Sequence, residues 1–313
     1  MKQFVKKIVL FSLPILIGLI SVFFIKTNRE FCYNYVKGDC EGRGKLLYKK
    51  VYEEKNTIDY LFVGSSKTWN DIDDGLLENL ITTPDSYHFK LFNAGYCRFG
   101  RNLDYLYCKE FLKRNRLKKI FLEVRADEST TSHPIYPYLA TGTEVLEGAL
   151  ALNGNLFPEI YNHLLMNVNY SRCQINLETP EINSEHSPQH GYNNIERVLD
   201  EKTLDEFYKK EKIRLSETKI DTGALAYRFS DYYLSKIKNL CDKKDVELVF
   251  VYLAGYANIN KEPAFKSYYE KWGKVIMAPD SIYTNKTYWK DVAHLNSAGA
   301  EAYTKFLATE LSR

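Results

Sequence analysis

The sequence predicts an α/β protein: a parallel sheet with helices on both sides, joined to one N-terminal membrane-spanning helix. Three observations carry that expectation. Short apolar runs of strand length alternate with segments whose apolar residues recur at helical spacing. A run without charge, Ile8 to Ile25, follows a basic start. A long stretch at about 128–224 breaks the alternation after the third strand and reads as an inserted cap or subdomain.

The N-terminal run would span roughly 27 Å as a helix, close to the hydrocarbon thickness of a bilayer. It contains Pro14 and Gly18, which lipid-spanning helices tolerate. It ends Val-Phe-Phe-Ile-Lys, without the small residues of a signal-peptidase site, so the expectation is an uncleaved signal anchor. Lys2, Lys6 and Lys7 precede the run and Lys26 and Arg29 follow it. That slight excess favours a single-pass protein with its bulk outside the cytoplasm. The expected division is a stub and anchor over 1–30 and one domain over 31–313.

The composition agrees with one globular domain. Of 313 residues, 45% are hydrophobic, and 43 Lys and Arg face 40 Asp and Glu for a formal charge of +3. That balance excludes a disordered chain and offers no basic footprint for nucleic acid. A mean hydropathy of −0.38 excludes a polytopic membrane protein. The 25 tyrosines suggest either a sugar-facing surface or many half-buried contacts with a hydroxyl handle. Six cysteines contain no Cys-x-x-Cys pair, so no zinc ribbon is offered; Cys32 and Cys40 are placed to close a small loop in an oxidising compartment.

Past the anchor, Lys45 to Lys55 reads as a charged helical segment. Ile58–Val63 ends at Gly64 as a buried strand, Phe89–Phe92 is a second, Lys119–Val124 a third and Val246–Tyr252 a fourth. Leu103, Leu106, Tyr107 and Phe111 mark a helix over Asn102–Arg114, another covers about Ala226–Lys243, and a last one starts at Ser297.

Two segments carry chemistry. Gly64-Ser65-Ser66-Lys67 follows the first strand, so a serine stands at a strand-to-helix turn with its N–H at a helix start, suited to an oxyanion. Asp291-Val-Ala-His294 directly precedes the last helix. That spacing lets the carboxylate hold one imidazole nitrogen while the other takes a serine proton. Each motif alone is common; their placement on the first strand and before the last helix is specific.

In these residues the sequence resembles the SGNH (GDSL-like) hydrolases, over roughly 56–127 and 226–313. The resemblance implies a flavodoxin-like three-layer sandwich. It assigns the nucleophile to Ser66, the third position of the Gly-Ser-Ser triplet, with His294 as base and Asp291 as its partner. Members with the Gly-Ser-Ser form handle acyl groups on cell-surface polymers. The oxyanion hole would use the N–H of Ser66 and of Gly95 or Gly100, in Asn93-Ala-Gly-Tyr-Cys-Arg-Phe-Gly100. Arg98 stands where the overlay expects the family's glycine, and Glu123-Val-Arg-Ala-Asp127 lacks the family's asparagine. The missing amide represents about 3 kcal/mol of transition-state stabilisation. Arg125 either replaces it as a cationic donor or pairs with Glu123 or Asp127; Arg98 and Arg125 are the substrate-binding candidates.

Three functions fit these residues: an esterase acting on O-acyl, such as O-acetyl, groups of an envelope glycan; an O-acyltransferase using the same triad; and a non-catalytic polymer-binding or assembly protein. No metal or organic cofactor is expected. Pro188 argues against His186 and His190 stacking as metal ligands. His88, His133 and His163 read as surface or satisfied histidines, Trp69 as a packing residue, and Asp71, Asp73 and Asp74 as a solvated turn. Partners would be the acylated glycan or a small ester, and the membrane.

Overall fold

The computed structural model describes residues 2–36, 40, 43–54, 57–81, 88–124, 128, 131–176, 189–217, 227–256 and 266–312. Helix α1 (Lys2–Phe23) leads to α2 (Arg29–Tyr35), α3 (Arg43–Tyr48) and a π-helical turn over Lys49–Glu53. There follow β1 (Tyr60–Val63), α4 (Ser66–Asp71), α5 (Asp74–Leu80), β2 (Leu91–Asn93), α6 (Arg101–Arg114) and β3 (Lys119–Val124). Helices α7 (Tyr136–Leu139), α8 (Gly142–Glu147), α9 (Leu156–Asn176) and α10 (Glu201–Glu217) come next. The chain closes with α11 (Arg228–Lys243), β4 (Glu247–Tyr252), α12 (Lys266–Tyr269), β5 (Lys274–Met277), α13 (Asp280–Thr284) and α14 (Ser297–Leu311).

Among the described residues the strands form one parallel sheet in the order β2-β1-β3-β4-β5. The β1→β2 connection runs toward one edge and all later ones toward the other. Right-handed crossovers therefore place α4 and α5 on one face and α6 and α11 on the opposite face. Helix α14 packs with α4 and α5, and α11 with α6. The central strands β1 and β3 are buried apart from Lys119 at the start of β3, with Phe62 and Phe121 stacked at 4.5 Å across them. The strand β5 is an addition to the sequence reading.

Most of the tyrosines described as buried sit in the core: Tyr107, Tyr136, Tyr233, Tyr269 and Tyr303 are all fully enclosed. The insert is helical, and α9 packs on α7, α8 and the end of α1. Its other described part, residues 190–199, is an extended strap. Tyr192 N donates to Asp74 Oδ1, Asn193 N to Trp69 O, Leu199 N to Trp289 O, and Ser297 N to Ile195 O.

The cysteine expectation is corrected. Cys40 bonds to Cys97, not to Cys32, tying the segment before α3 to the loop after β2. Cys32 is a buried free thiol within α2, its Sγ 3.1 Å from Thr27 Oγ1 at the α1–α2 turn. The bridge joins residues 57 apart, and Cys40→Ser with Cys97→Ser should cost about 4 kcal/mol of stability. Urea unfolding of the double variant beside the oxidised parent measures this.

Burial pushes the Glu159 carboxyl on α9 up to about 7, with Ser132 and Asn153 pulling weakly the other way. The folded state thus keeps a proton that the unfolded chain releases above about pH 4.3. This stabilising contribution is complete at low pH and is lost as pH rises toward about 7. Glu159→Gln should flatten that dependence, so the parent should lose a few more degrees of Tm than the variant between pH 5 and 8.

Candidate active site

The first strand delivers its carboxyl end to the point where strand order reverses, between β1 and β3, the place where open parallel sheets bind ligands. Gly64 makes the turn possible there. A Cβ at that position would lie 2.2 Å from Thr68 Oγ1 and 2.5 Å from Glu123 Cβ. Without it, α4 and β3 come close enough for the buried Glu123 carboxylate to grip the turn. Glu123 accepts from Ser65 N at 2.7 Å, from Ser65 Oγ at 2.8 Å and from Thr68 Oγ1 at 2.8 Å. Arg101 Nη2 in turn donates to Glu123 O at 2.8 Å and fixes the strand end.

This arrangement separates the two serines. The Ser65 hydroxyl is committed to Glu123 and caps Lys67 N as the N-cap of α4. Ser66 points the other way, with its Oγ 2.8 Å from His294 Nε2. His294 Nδ1 lies 2.9 and 3.1 Å from the two oxygens of Asp291. With Asp291 ionised, the geometry assigns the ring proton to Nδ1 and leaves Nε2 to accept from Ser66. Burial raises the Asp291 carboxyl, but the His294 hydrogen bond and charge, the Ala293 N–H and Lys290 outweigh it and hold it at about 2.

The loop that carries the pair is built tightly. Asp291 Oδ1 accepts from the N–H groups of Ala293 and His294, and Trp289 bridges Leu295 as an antiparallel pair. Asn296 caps α14 by accepting from Gly299 N. Asp71, at the end of α4, accepts from Leu295 N at 2.9 Å and so ties the residue after His294 to the helix that starts at Ser66. Burial drives the Asp71 carboxyl far up, against the pull of Lys67, the Leu295 N–H and Lys290.

The solvated reading of the aspartate cluster therefore holds only for Asp73, the N-cap of α5. Asp71 and Asp74 are fully buried. Asp74 accepts from Asn93 N, Gly191 N and Tyr192 N, and is the clasp that joins β2 to the strap.

The second motif runs beside the Gly64–Ser66 turn: Ala94 N donates to Phe62 O and Tyr96 N to Gly64 O. The Gly95 N–H, expected at the oxyanion hole, donates to Asn93 Oδ1 at 2.9 Å within the loop itself. A Cβ there would meet Trp69 N at 2.5 Å, so the glycine permits the close approach of this loop to α4. Gly100 is the N-cap of α6, pressed against His133. Arg98 is exposed, with a φ of 65° in the left-handed region. Arg125, with Asp127, lies outside the described residues, as does His186. His88 is exposed, while His133 and His163 are buried.

No protein-family model and no curated protein matches this chain.

Sequence reasoning missed several residues around Ser66. Asn70 donates to Ser66 O, and its own oxygen accepts from Asn193 of the strap at 2.8 Å and from Lys290 at 3.0 Å. Lys67 Nζ donates to Leu253 O at the end of β4. Buried Arg43 donates to Gly95 O, Gly191 O and Asn93 O and lies 5.1 Å from the Trp69 ring. Burial lowers its pKa to about 10 despite Asp74. The Asn70 contact had a signal, four residues from Ser66 on one helix face; Arg43 and Asn193 had none. Among the described residues, no three His, Cys, Asp or Glu side chains converge as a metal site.

Proposed function

We propose that this chain is a serine ester hydrolase of the SGNH type, anchored by α1. The observation that carries the reading is the relay of Ser66 Oγ to His294 Nε2 at 2.8 Å and His294 Nδ1 to Asp291 at 2.9 Å. The parallel order β2-β1-β3-β4-β5 supports the flavodoxin-like form. The Cys40–Cys97 bridge and the basic residues in the first turns of α1 support an extracytoplasmic domain.

In this reading Ser66 Oγ attacks the ester carbonyl as its proton passes to His294 Nε2. The tetrahedral oxyanion faces the Ser66 N–H, which as a first-turn donor has no intrahelical acceptor. The imidazolium returns the proton to the leaving alcohol oxygen, the C–O bond breaks, and acyl-Ser66 remains. Water, deprotonated by His294, then frees the acid. Asp291, ionised down to about pH 2, holds the Nδ1 proton throughout. The proposed substrate is an O-acyl group on an envelope glycan, from the placement of the domain.

A fluorophosphonate probe tests the reading on the full chain in detergent, with the adduct mapped by mass spectrometry. An adduct on Ser66 is the expected result; a folded chain that takes neither this probe nor a smaller sulfonyl fluoride overturns it. The committed Gly95 N–H favours a second reading, a glycan-binding protein with the same cleft, which predicts retention on an acylated glycan without turnover. Adding a glycan acceptor to a short-chain ester separates hydrolysis from transfer by product.

A further inference from the structure

The geometry points to a second membrane contact: the outer face of α8–α9 lies on the bilayer beside the point where α1 leaves it. This rests on α1 crossing the bilayer, and not on the hydrolase reading.

Helix α9 presents Phe157, Tyr161, Leu165 and Val168 at spacings of four, four and three, which is one helix face. All four are exposed, Phe157 by 82% and Tyr161 by 64%, and Leu150 and Leu152 extend the patch from the turn before α9. Every exposed residue from 148 to 170 is apolar, glycine or tyrosine. From 148 to 171 the only charged residue is Glu159, which is buried. A chain that is 27% charged would place about six charges in such a segment. A surface this bare of charge needs a partner.

Continuity with α1 identifies the partner as lipid. Leu19, Ile20, Phe23 and Phe24 share one apolar cleft with Leu146, Ile160 and Leu164. Asn167 of α9 donates to Val22 O and Phe23 O at 3.0 Å, so α9 caps the helix end. The 21-residue segment Gln3–Phe23 is long enough for the hydrocarbon core, which puts its last turn at the boundary. Side chains of α8 and α9 that reach Leu19 and Ile20 then sit about 5 Å below that boundary, the depth of an interfacial helix. An aromatic pair such as Phe157 and Tyr161 suits that layer.

The test is photolabelling of the full chain in nanodiscs containing diazirine-tagged phosphatidylcholine, with adducts mapped by mass spectrometry. Adducts on both α1 and 148–170 are expected. Phe157→Asp with Leu150→Asp should lower the 148–170 adducts about tenfold while those on α1 stay, since each side chain leaves an apolar medium. Adducts on α1 alone overturn the proposal. So do links from 148–170 to a second copy of the chain without lipid adducts. Absence of adducts on α1 removes the anchor itself, and the proposal with it.

Discussion

Ser66→Ala is expected to remove the fluorophosphonate adduct and to lower ester turnover by at least about a thousandfold, because the Ser66 hydroxyl is the one bonded to the imidazole among the described residues. Ser65→Ala is the informative contrast. The Ser65 hydroxyl is bonded to Glu123 and Ser66 alone faces His294, so the folded Ser65 variant keeps its adduct on Ser66. Turnover that survives Ser66→Ala would show that the relay is not the catalytic group. His294→Ala should remove adduct formation as well, since the serine then has no proton acceptor.

Glu123→Ala should produce the largest loss of stability, about 5 kcal/mol, or a Tm about 10 °C lower. The carboxylate is fully buried and accepts from Ser65 N, Ser65 Oγ and Thr68 Oγ1. Truncation strands those donors and leaves a void behind the Gly64–Ser66 turn. Glu123→Gln keeps the volume and one acceptor oxygen but turns an amide N–H₂ toward donors, so about 2 kcal/mol is expected. Thermal unfolding measures both, and the rate of probe labelling well below Tm reports how far the turn has moved. An alanine variant melting within about 2 °C of the parent would mean that Glu123 does not hold the turn.

The legible parts of the fold were those encoded locally. Strand β1 is a continuous apolar run, β3 carries the apolar run Ile120–Leu122, and α14 starts at Ser297 as its spacing predicts. Ser66 and the Asp291–His294 pair were readable because each motif is short and sits at an element boundary; the structure brings them together. Strand β5 was not readable. It is four residues at the sheet edge, Lys274–Met277, with one residue fully buried, so burial leaves little imprint on its sequence. The Ser65 and Thr68 bonds to the Glu123 carboxylate, the Cys40–Cys97 bridge and the Arg43 clasp join segments 50 or more residues apart, and no spacing rule reaches that far. The strap over 190–199 has no periodicity because its backbone bonds go to scattered side chains and loops.

The capped end of α1 also has a mechanical consequence. Asn167 holds the last carbonyls of the helix, the His163 ring stands edge-on to Phe23 at 4.9 Å, and Arg29 at the start of α2 is paired with Glu110 of α6. The joint between helix and domain is therefore a weld and not a swivel. In the proposed arrangement, with α1 crossing the membrane, a bilayer thicker or thinner than the helix changes its tilt. Through this joint the domain would then lean with the helix, and membrane thickness would set the direction in which Ser66 looks.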